Sequence, residues 1–303
     1  MTRKQITNVS ASVRERLLNI SRKKNRPFNE LFQYYAMERF LYRLSQSNYV
    51  DSFILKGVLA LQVRKIDKFR PTMDIDISQK RNDENSEIIK QIKDILSTKV
   101  EKDGLVFDLQ SIRLEDIKRD TPYKGMRVLF IGTLDSAKIN MQIDISFSDV
   151  IFPEPIEKIL FPCILEFPAP KLLCYSLESI VAEKFEALVK LGEWNSRMKD
   201  FYDLWVLSRQ YDFYGHQLSK AIGLTFKNRG TSLKQEITAF KPEFIKQKEK
   251  EWKSFIKTLN REDTVSLSDV IELLKLFLMP IIKALTLKRP IPNYWKASRS
   301  WEN

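Results

Sequence analysis

The sequence predicts an α+β fold, with a small mixed sheet at the core, a helical cap before it and a helical bundle after it. Three observations carry this. The 303 residues include only eight glycines, well below the roughly 7% of an average protein, which points away from an all-β or loop-rich chain. Two segments, Asp74-Ile75-Asp76-Ile77 and 141–147, alternate apolar and polar residues with the period of a strand. Apolar residues recur at helical spacing on either side, through Phe28, Leu31, Phe32 and Tyr35 before and Val181, Phe185 and Leu188 after.

In chain order, residues 11–48 read as two helices broken at Pro27, a cap covering 1–49. The core, 50–170, holds a short helix over 58–63, the strand of Asp74, an amphipathic helix near 86–97, and strands around Val106, Val128 and Ile143. Pro162, Pro168 and Pro170 bias their neighbours away from helix and mark a boundary. From there 171–303 reads as helical as far as Leu287, and no fixed-period repeat is visible.

Composition narrows the function classes. The two cysteines, Cys163 and Cys174, lack any metal-ligand spacing and read as reduced core thiols of a cytoplasmic protein. Met1-Thr2-Arg3-Lys4-Gln5 lacks the apolar run of a secretory signal, and 271–287 is interrupted by Glu272, Lys275, Pro280 and Lys283, so a soluble chain with no membrane partner is expected. His216 is the single histidine, which excludes a multi-histidine zinc site and argues against Ser-His-Asp or Cys-His catalysis. A net charge of +12 favours nucleic acid as partner. Basic residues gather in Ser21-Arg22-Lys23-Lys24-Asn25-Arg26 and in the terminal segment of Lys288-Arg289, Tyr294-Trp295-Lys296 and Arg299-Ser300-Trp301. That aromatic-basic tail suits either RNA contact or packing on the bundle. The lysine-rich stretch 243–257 also carries Glu249 and Glu251 and reads as a solvated helix face.

The candidate site lies in the alternating segments. In a strand, Asp74 and Asp76 share one face while Met73, Ile75 and Ile77 fill the other, and Asp144 repeats the design between Ile143 and Ile145. If the two strands are neighbours, three carboxylates converge. Hard oxygen ligands of this kind suit Mg²⁺, and two such ions about 4 Å apart serve in-line displacement at phosphorus. Upstream, Lys56-Gly57 opens the short helix, where a lysine and unpaired backbone amides suit a triphosphate. The blander reading is a solvated strand face.

Further on, Lys184 shares the apolar stripe of Val181, Phe185 and Leu188, while Arg197 and Asp200 extend the apolar face of Phe201, Leu204, Trp205 and Leu207. Asp200 and Asp203 are three apart, nearly on one side. Lys184 either snorkels, faces a cleft of acids and phosphates, or joins an ion-pair network ordering two helices.

Lys56-Gly57, Arg70-x-Thr72-x-Asp74-Ile75-Asp76 and Gln142-Ile143-Asp144-Ile145 together resemble the AbiEii family of nucleotidyltransferase toxins, in the DNA polymerase β-like superfamily. The likeness continues in Ala182-Glu183-Lys184-Phe185-Glu186-Ala187-Leu188 and Asn195-Ser196-Arg197-Met198-Lys199-Asp200-Phe201-Tyr202-Asp203-Leu204, and spans roughly 12–209. Where the superfamily usually has Gly-Ser, this chain has Gly57-Val58, leaving phosphate binding to backbone amides and Lys56. The resemblance implies a nucleotidyltransferase core and a Mg²⁺-dependent toxin of a toxin–antitoxin, abortive-infection system. Its reaction would move a nucleoside monophosphate from an NTP to RNA, the tRNA 3′ end, blocking translation. Asp74, Asp76 and Asp144 would be the catalytic metal ligands, Lys56, Gly57 and Lys184 would meet the nucleotide, and Asp200 and Asp203 would complete the C-terminal motif. An antitoxin from a neighbouring gene is the implied partner. Two other readings remain at this stage: a transferase that modifies protein, and a non-catalytic nucleic-acid-binding module.

Overall fold

The computed structural model describes residues 8–64, 70–80, 83–117, 125–147, 149–154, 158–259, 265–297 and 299–302. The α+β class expected from the sequence is what is found. Described residues of Met1–Lys65, Pro71–Asp149 and Glu157–Cys174 form one compact unit, and those of Ile66–Arg70, Val150–Ile156 and Tyr175–Asn303 form a second.

The first unit is built on a five-stranded sheet of order β1-β2-β5-β4-β3. Its strands are β1 (Phe53–Leu55), β2 (Ile75–Gln79), β3 (Leu105–Asp116), β4 (Gly125–Leu134) and β5 (Ala137–Phe147). β2 and β5 run parallel while the other pairs are antiparallel, so the sheet is mixed as expected. Two residues, Asp135 and Ser136, turn β4 into β5, with Asp135 at φ 54 as tight hairpins require. The apolar face closes over Ile75, Ile77, Ile143 and Ile145, all essentially inaccessible, each such side chain worth about 1.5–3 kcal/mol of transfer free energy. Met73 departs from the expected alternation. It is 56% exposed because β2 begins only at Ile75, so Asp74 lies just before the strand.

Four helices accompany the sheet: α1 (Val9–Lys24), α2 (Phe28–Ser45), α3 (Gly57–Gln62) and α4 (Asn85–Leu96). Asn8 caps α1, its side-chain oxygen accepting from the Ala11 amide at 3.0 Å, and Arg22, Lys23 and Lys24 in the last turn complement the helix dipole. The break at Pro27 falls where the sequence places it. α2 is buried on several sides, with Tyr35, Phe40 and Leu41 in the core. Its buried charged residues each have an ionic partner. Arg43 holds Asp103 through two bonds of 2.7 and 3.1 Å. Glu38 and Arg39 form a fully buried pair at 2.8 Å. They also bind the proline-rich segment, Glu38 accepting from the Ile164 amide and Arg39 donating to the Pro168 carbonyl. Burial pushes the Glu38 carboxyl above the usual carboxylate range despite Arg39. A short hairpin of β6 (Lys158–Leu160) and β7 (Lys171–Leu173) completes the unit.

The second unit is helical: α5 (Leu177–Leu191), α6 (Met198–Gln210), α7 (Gly215–Asn228), α8 (Pro242–Thr258) and α9 (Leu267–Leu287). The stripes read from sequence are its core, with Val181, Phe185, Leu188, Phe201, Leu204 and Leu207 fully buried. α9 is inaccessible at Leu274, Phe277, Leu278, Ile281 and Ile282 and carries Pro280 within it. Against it lies a small sheet of β8 (Phe213–Tyr214), β9 (Tyr294–Trp295) and β10 (Trp301–Glu302), order β10-β9-β8. Among the described residues no helix is long and apolar enough to cross a membrane.

Candidate active site

The parallel pairing of β2 and β5 sets Asp76 directly opposite Asp144. Both lie on the face opposite the buried isoleucines, as period-2 alternation dictates. The row continues across the sheet, since Asp144 pairs with Arg127 on β4 and Arg127 pairs with Glu115 on β3. Four charged side chains thus stand side by side, in the order acid, acid, base, acid. Arg127 donates to both oxygens of Asp144 at 2.9 Å, a bidentate geometry. Those hydrogen bonds hold the guanidinium pKa above its ordinary value against burial, with further help from Glu115 and Asp74. Gln142 donates a third bond to Asp144 at 3.1 Å.

Asp76 is set by the turn leading into α3. The Lys56 amide donates to the Asp76 carbonyl at 2.9 Å. Gly57 follows at φ +65, and a Cβ there would overlap the Asp76 carboxylate. Only glycine satisfies both the left-handed backbone and the close approach. Lys56 turns inward: its side chain is 8% exposed and its ammonium sits 2.9 Å from Asp149, which also accepts from the Ser146 hydroxyl. Asp74, ahead of the strand, accepts from the Thr72 hydroxyl.

The donors Asp74, Asp76 and Asp144 are hard carboxylate oxygens, the chemistry a Mg²⁺ ion takes. Asp76 and Asp144 fit such a role by register. Among the described residues no three acidic, histidine or cysteine side chains stand together as a metal-holding group, so Asp74, Asp76 and Asp144 are not gathered as tightly as the sequence predicts. Asp144 has Arg127 as its counter-charge instead.

In the helical unit, Lys184 on α5 meets both aspartates of α6, at 2.9 Å from Asp200 and 2.8 Å from Asp203. Arg197 adds a 2.6 Å contact to Asp200, and Arg70 binds both oxygens of Asp203 at 3.3 Å. Lys184 therefore does not snorkel; its side chain is 11% exposed and locked in the ion-pair network. Burial opposes its charge, but Asp200 and Asp203 outweigh burial and hold its pKa above the ordinary lysine value. Burial likewise opposes ionisation of Asp200, and Lys184 and Arg197 reverse it, leaving the carboxyl below its usual range.

Arg127 and Asp149 escaped the sequence reading. A lone arginine in the apolar run Met126-Arg127-Val128-Leu129-Phe130 was a usable signal for the first; Asp149 stands in no pattern.

A mixed sheet with register-paired carboxylates on its polar face is an arrangement suited to a nucleotidyltransferase of the α+β class. The chain belongs to the AbiEii family: the model for the nucleotidyl transferase AbiEii toxin of type IV toxin–antitoxin systems matches residues 39–273. Membership makes the protein a nucleotidyltransferase toxin, with an NTP as substrate and an antitoxin as partner. Among solved structures, JHP933 from Helicobacter pylori is similar at a TM-score of 0.46 and 16% identity, covering 86% of this chain and 94% of that one. MenT4, a nucleotidyltransferase toxin of Mycobacterium tuberculosis H37Rv, gives 0.48 and 13%, covering 93% and 99%. No curated protein matches the sequence.

Proposed function

We propose that this toxin transfers a nucleoside monophosphate from an NTP to the 3′ end of a tRNA in a Mg²⁺-dependent reaction, and so blocks translation. An acceptor hydroxyl oxygen bonds to the α-phosphorus as the bond to the β-phosphate breaks, and pyrophosphate leaves. The observation that supports this most is the pairing of Asp76 with Asp144 on parallel strands, with Gly57 pressed against the Asp76 carboxylate. Asp74, Asp76 and Asp144 would hold Mg²⁺, which when bound neutralises charge building on the phosphoryl oxygens. Asp144 also has the role of assisting deprotonation of the acceptor. Lys184, kept cationic by Asp200 and Asp203, is assigned to the triphosphate. Lys56, whose ammonium meets Asp149, and the Gly57 turn are assigned to the nucleotide as well. RNA is favoured over protein as acceptor by the net charge of +12.

The test incubates the protein with total RNA and each labelled NTP in turn, with and without Mg²⁺. Label in the tRNA fraction, dependent on Mg²⁺ and abolished by Asp76→Asn with the fold intact, is the expected result. Label in protein overturns the RNA acceptor, and transfer retained by Asp76→Asn overturns the metal assignment.

A further inference from the structure

The terminal aromatic-basic segment divides its side chains between two jobs. Phe213, Trp295 and Trp301 are register partners across β8, β9 and β10 and form one face of that small sheet. This face is packing surface: Trp295 is fully buried, Trp301 stacks on Phe277, and both indole N–H groups donate to backbone carbonyls, of Ser208 and Phe277. Gly215 lets the strand approach closely, since a Cβ there would collide with the Pro292 carbonyl.

The opposite face carries the alternate residues, Tyr214, Tyr294 and Glu302, again in register. Tyr214 is 55% exposed, its ring 5.2 Å from Tyr294 edge-to-face and 6.1 Å from His216. A large aromatic left in water on a rigid strand, with a second ring beside it, is not explained by packing. Lys296 and Arg299, in the turn that joins β9 to β10, where the Arg299 amide donates to the Lys296 carbonyl, and Lys288 and Arg289, which follow α9 and precede β9 in the chain, are all exposed. None of the four takes part in an ion pair among the described residues. Asp212 is engaged by the Tyr294 hydroxyl and the Ala297 amide, and Glu302 is the acid on the outer face itself.

We infer that the outer face of this three-stranded sheet is a docking platform for single-stranded RNA, with Tyr214 stacking a base and Lys288, Arg289 and Arg299 meeting phosphates. Aromatic rings fixed on strands with unpaired cations at the margins match what an unpaired polynucleotide offers, a π-face at every base and a charge at every linkage. An acidic protein would use the cations but has no systematic partner for an exposed ring. The inference deepens the RNA-acceptor reading by naming how RNA is held, and it is tested by binding, independently of transfer.

The full chain is titrated with a labelled short oligoadenylate over a range of salt, and with polyglutamate as the protein-like polyanion. Tyr214→Ala is expected to weaken oligoadenylate binding about 5- to 150-fold, the worth of one base–aromatic stack, while Tyr214→Phe preserves it. The triple variant Lys288→Gln, Arg289→Gln, Arg299→Gln should flatten the slope of log affinity against log salt by about 2, from about 0.7 per lost single-strand contact. Thermal melts confirm that each variant folds. Unchanged affinity in Tyr214→Ala, an unchanged slope in the triple variant, or tighter binding of polyglutamate than of oligoadenylate overturns the platform. Labelling of RNA by a protein whose platform variants bind unchanged overturns the platform alone. Failure of RNA labelling with intact, tyrosine-dependent oligoadenylate binding overturns the acceptor reading alone.

Discussion

Arg127 and Asp144 face each other across β4 and β5 and share two hydrogen bonds of 2.9 Å, which makes the guanidinium a fixed neighbour of the carboxylate pair. A positive charge at that distance opposes a second cation on the same oxygens, by several kcal/mol at an effective dielectric constant of about 20.

If Asp144 holds Mg²⁺ as proposed, Arg127→Gln should lower the Mg²⁺ concentration for half-maximal transfer by about tenfold, a small part of that Coulomb term once solvent screening is counted. The Arg127 side chain is 35% exposed, so its contribution to stability is modest, about 1 kcal/mol, or a fall in melting temperature of about 2 °C. A Mg²⁺ titration of labelled transfer and a thermal melt measure the two effects. An unchanged or increased Mg²⁺ requirement would show that Arg127 does not compete for Asp144.

Gly57→Ala places a methyl group in the Asp76 carboxylate and puts a side chain on a backbone at φ +65. The backbone term alone costs about 1–2 kcal/mol, and the steric term moves the carboxylate proposed to hold the metal. Transfer should fall by at least about a hundredfold, beyond what 1–2 kcal/mol of stability explains. A double-mutant cycle on stability separates the two terms. Combined with Asp76→Ala, which removes the oxygens but leaves the Asp76 Cβ, the cost of Gly57→Ala should drop towards the backbone term.

Much of this architecture was legible because it is periodic. The helices before and after the core, the short helix at Gly57 and the β2–β5 alternation all follow from apolar spacing, and Asp76 and Asp144 with them. What escaped depends on register or on local competition. Arg127 meets Asp144 because the Asp135-Ser136 turn fixes how β4 folds on β5, and the alternation within one strand does not specify its partner. Asp74 was expected inside the strand, but the Thr72 hydroxyl satisfies its carboxylate one residue short of it. The Lys56 ion pair is not legible because Asp149, its partner 93 positions away, lies in no recognisable pattern. The outward tyrosines sit on strands of two residues, too short to show a period.

Lys184→Met removes the shared cation of two buried aspartates. Arg197 and Arg70 remain, one on each, so the loss is that of one member of a buried network, about 3 kcal/mol, measured by denaturant unfolding. If Lys184 meets the triphosphate, Lys184→Met should raise KM for NTP more than it lowers transfer to a saturating acceptor. Lys184→Arg should recover stability better than KM, since a planar guanidinium replaces a compact ammonium.

The same network sets two edges of a pH–stability profile. The Asp200 pKa is lowered by folding, so the unfolded chain binds the proton first as pH falls. Its stabilisation is complete above the ordinary aspartate range near pH 4, and is lost as pH drops through the lower native value. The Lys184 pKa is raised, so above about pH 10.4 the unfolded chain releases its proton while the folded one retains it. That contribution is complete below this value and fades as pH climbs through the raised native one. Each limb has a limiting slope of about 1.4 kcal/mol per pH unit per proton. In Lys184→Met the alkaline limb from this residue should vanish. The acid limb should begin at higher pH, because burial then acts on Asp200 with Arg197 and Lys199 alone of its present cations to oppose it. Unfolding midpoints measured from pH 2 to 12 decide the matter, and a variant whose acid limb coincides with that of the parent would show that Lys184 does not hold Asp200 in its ionised form.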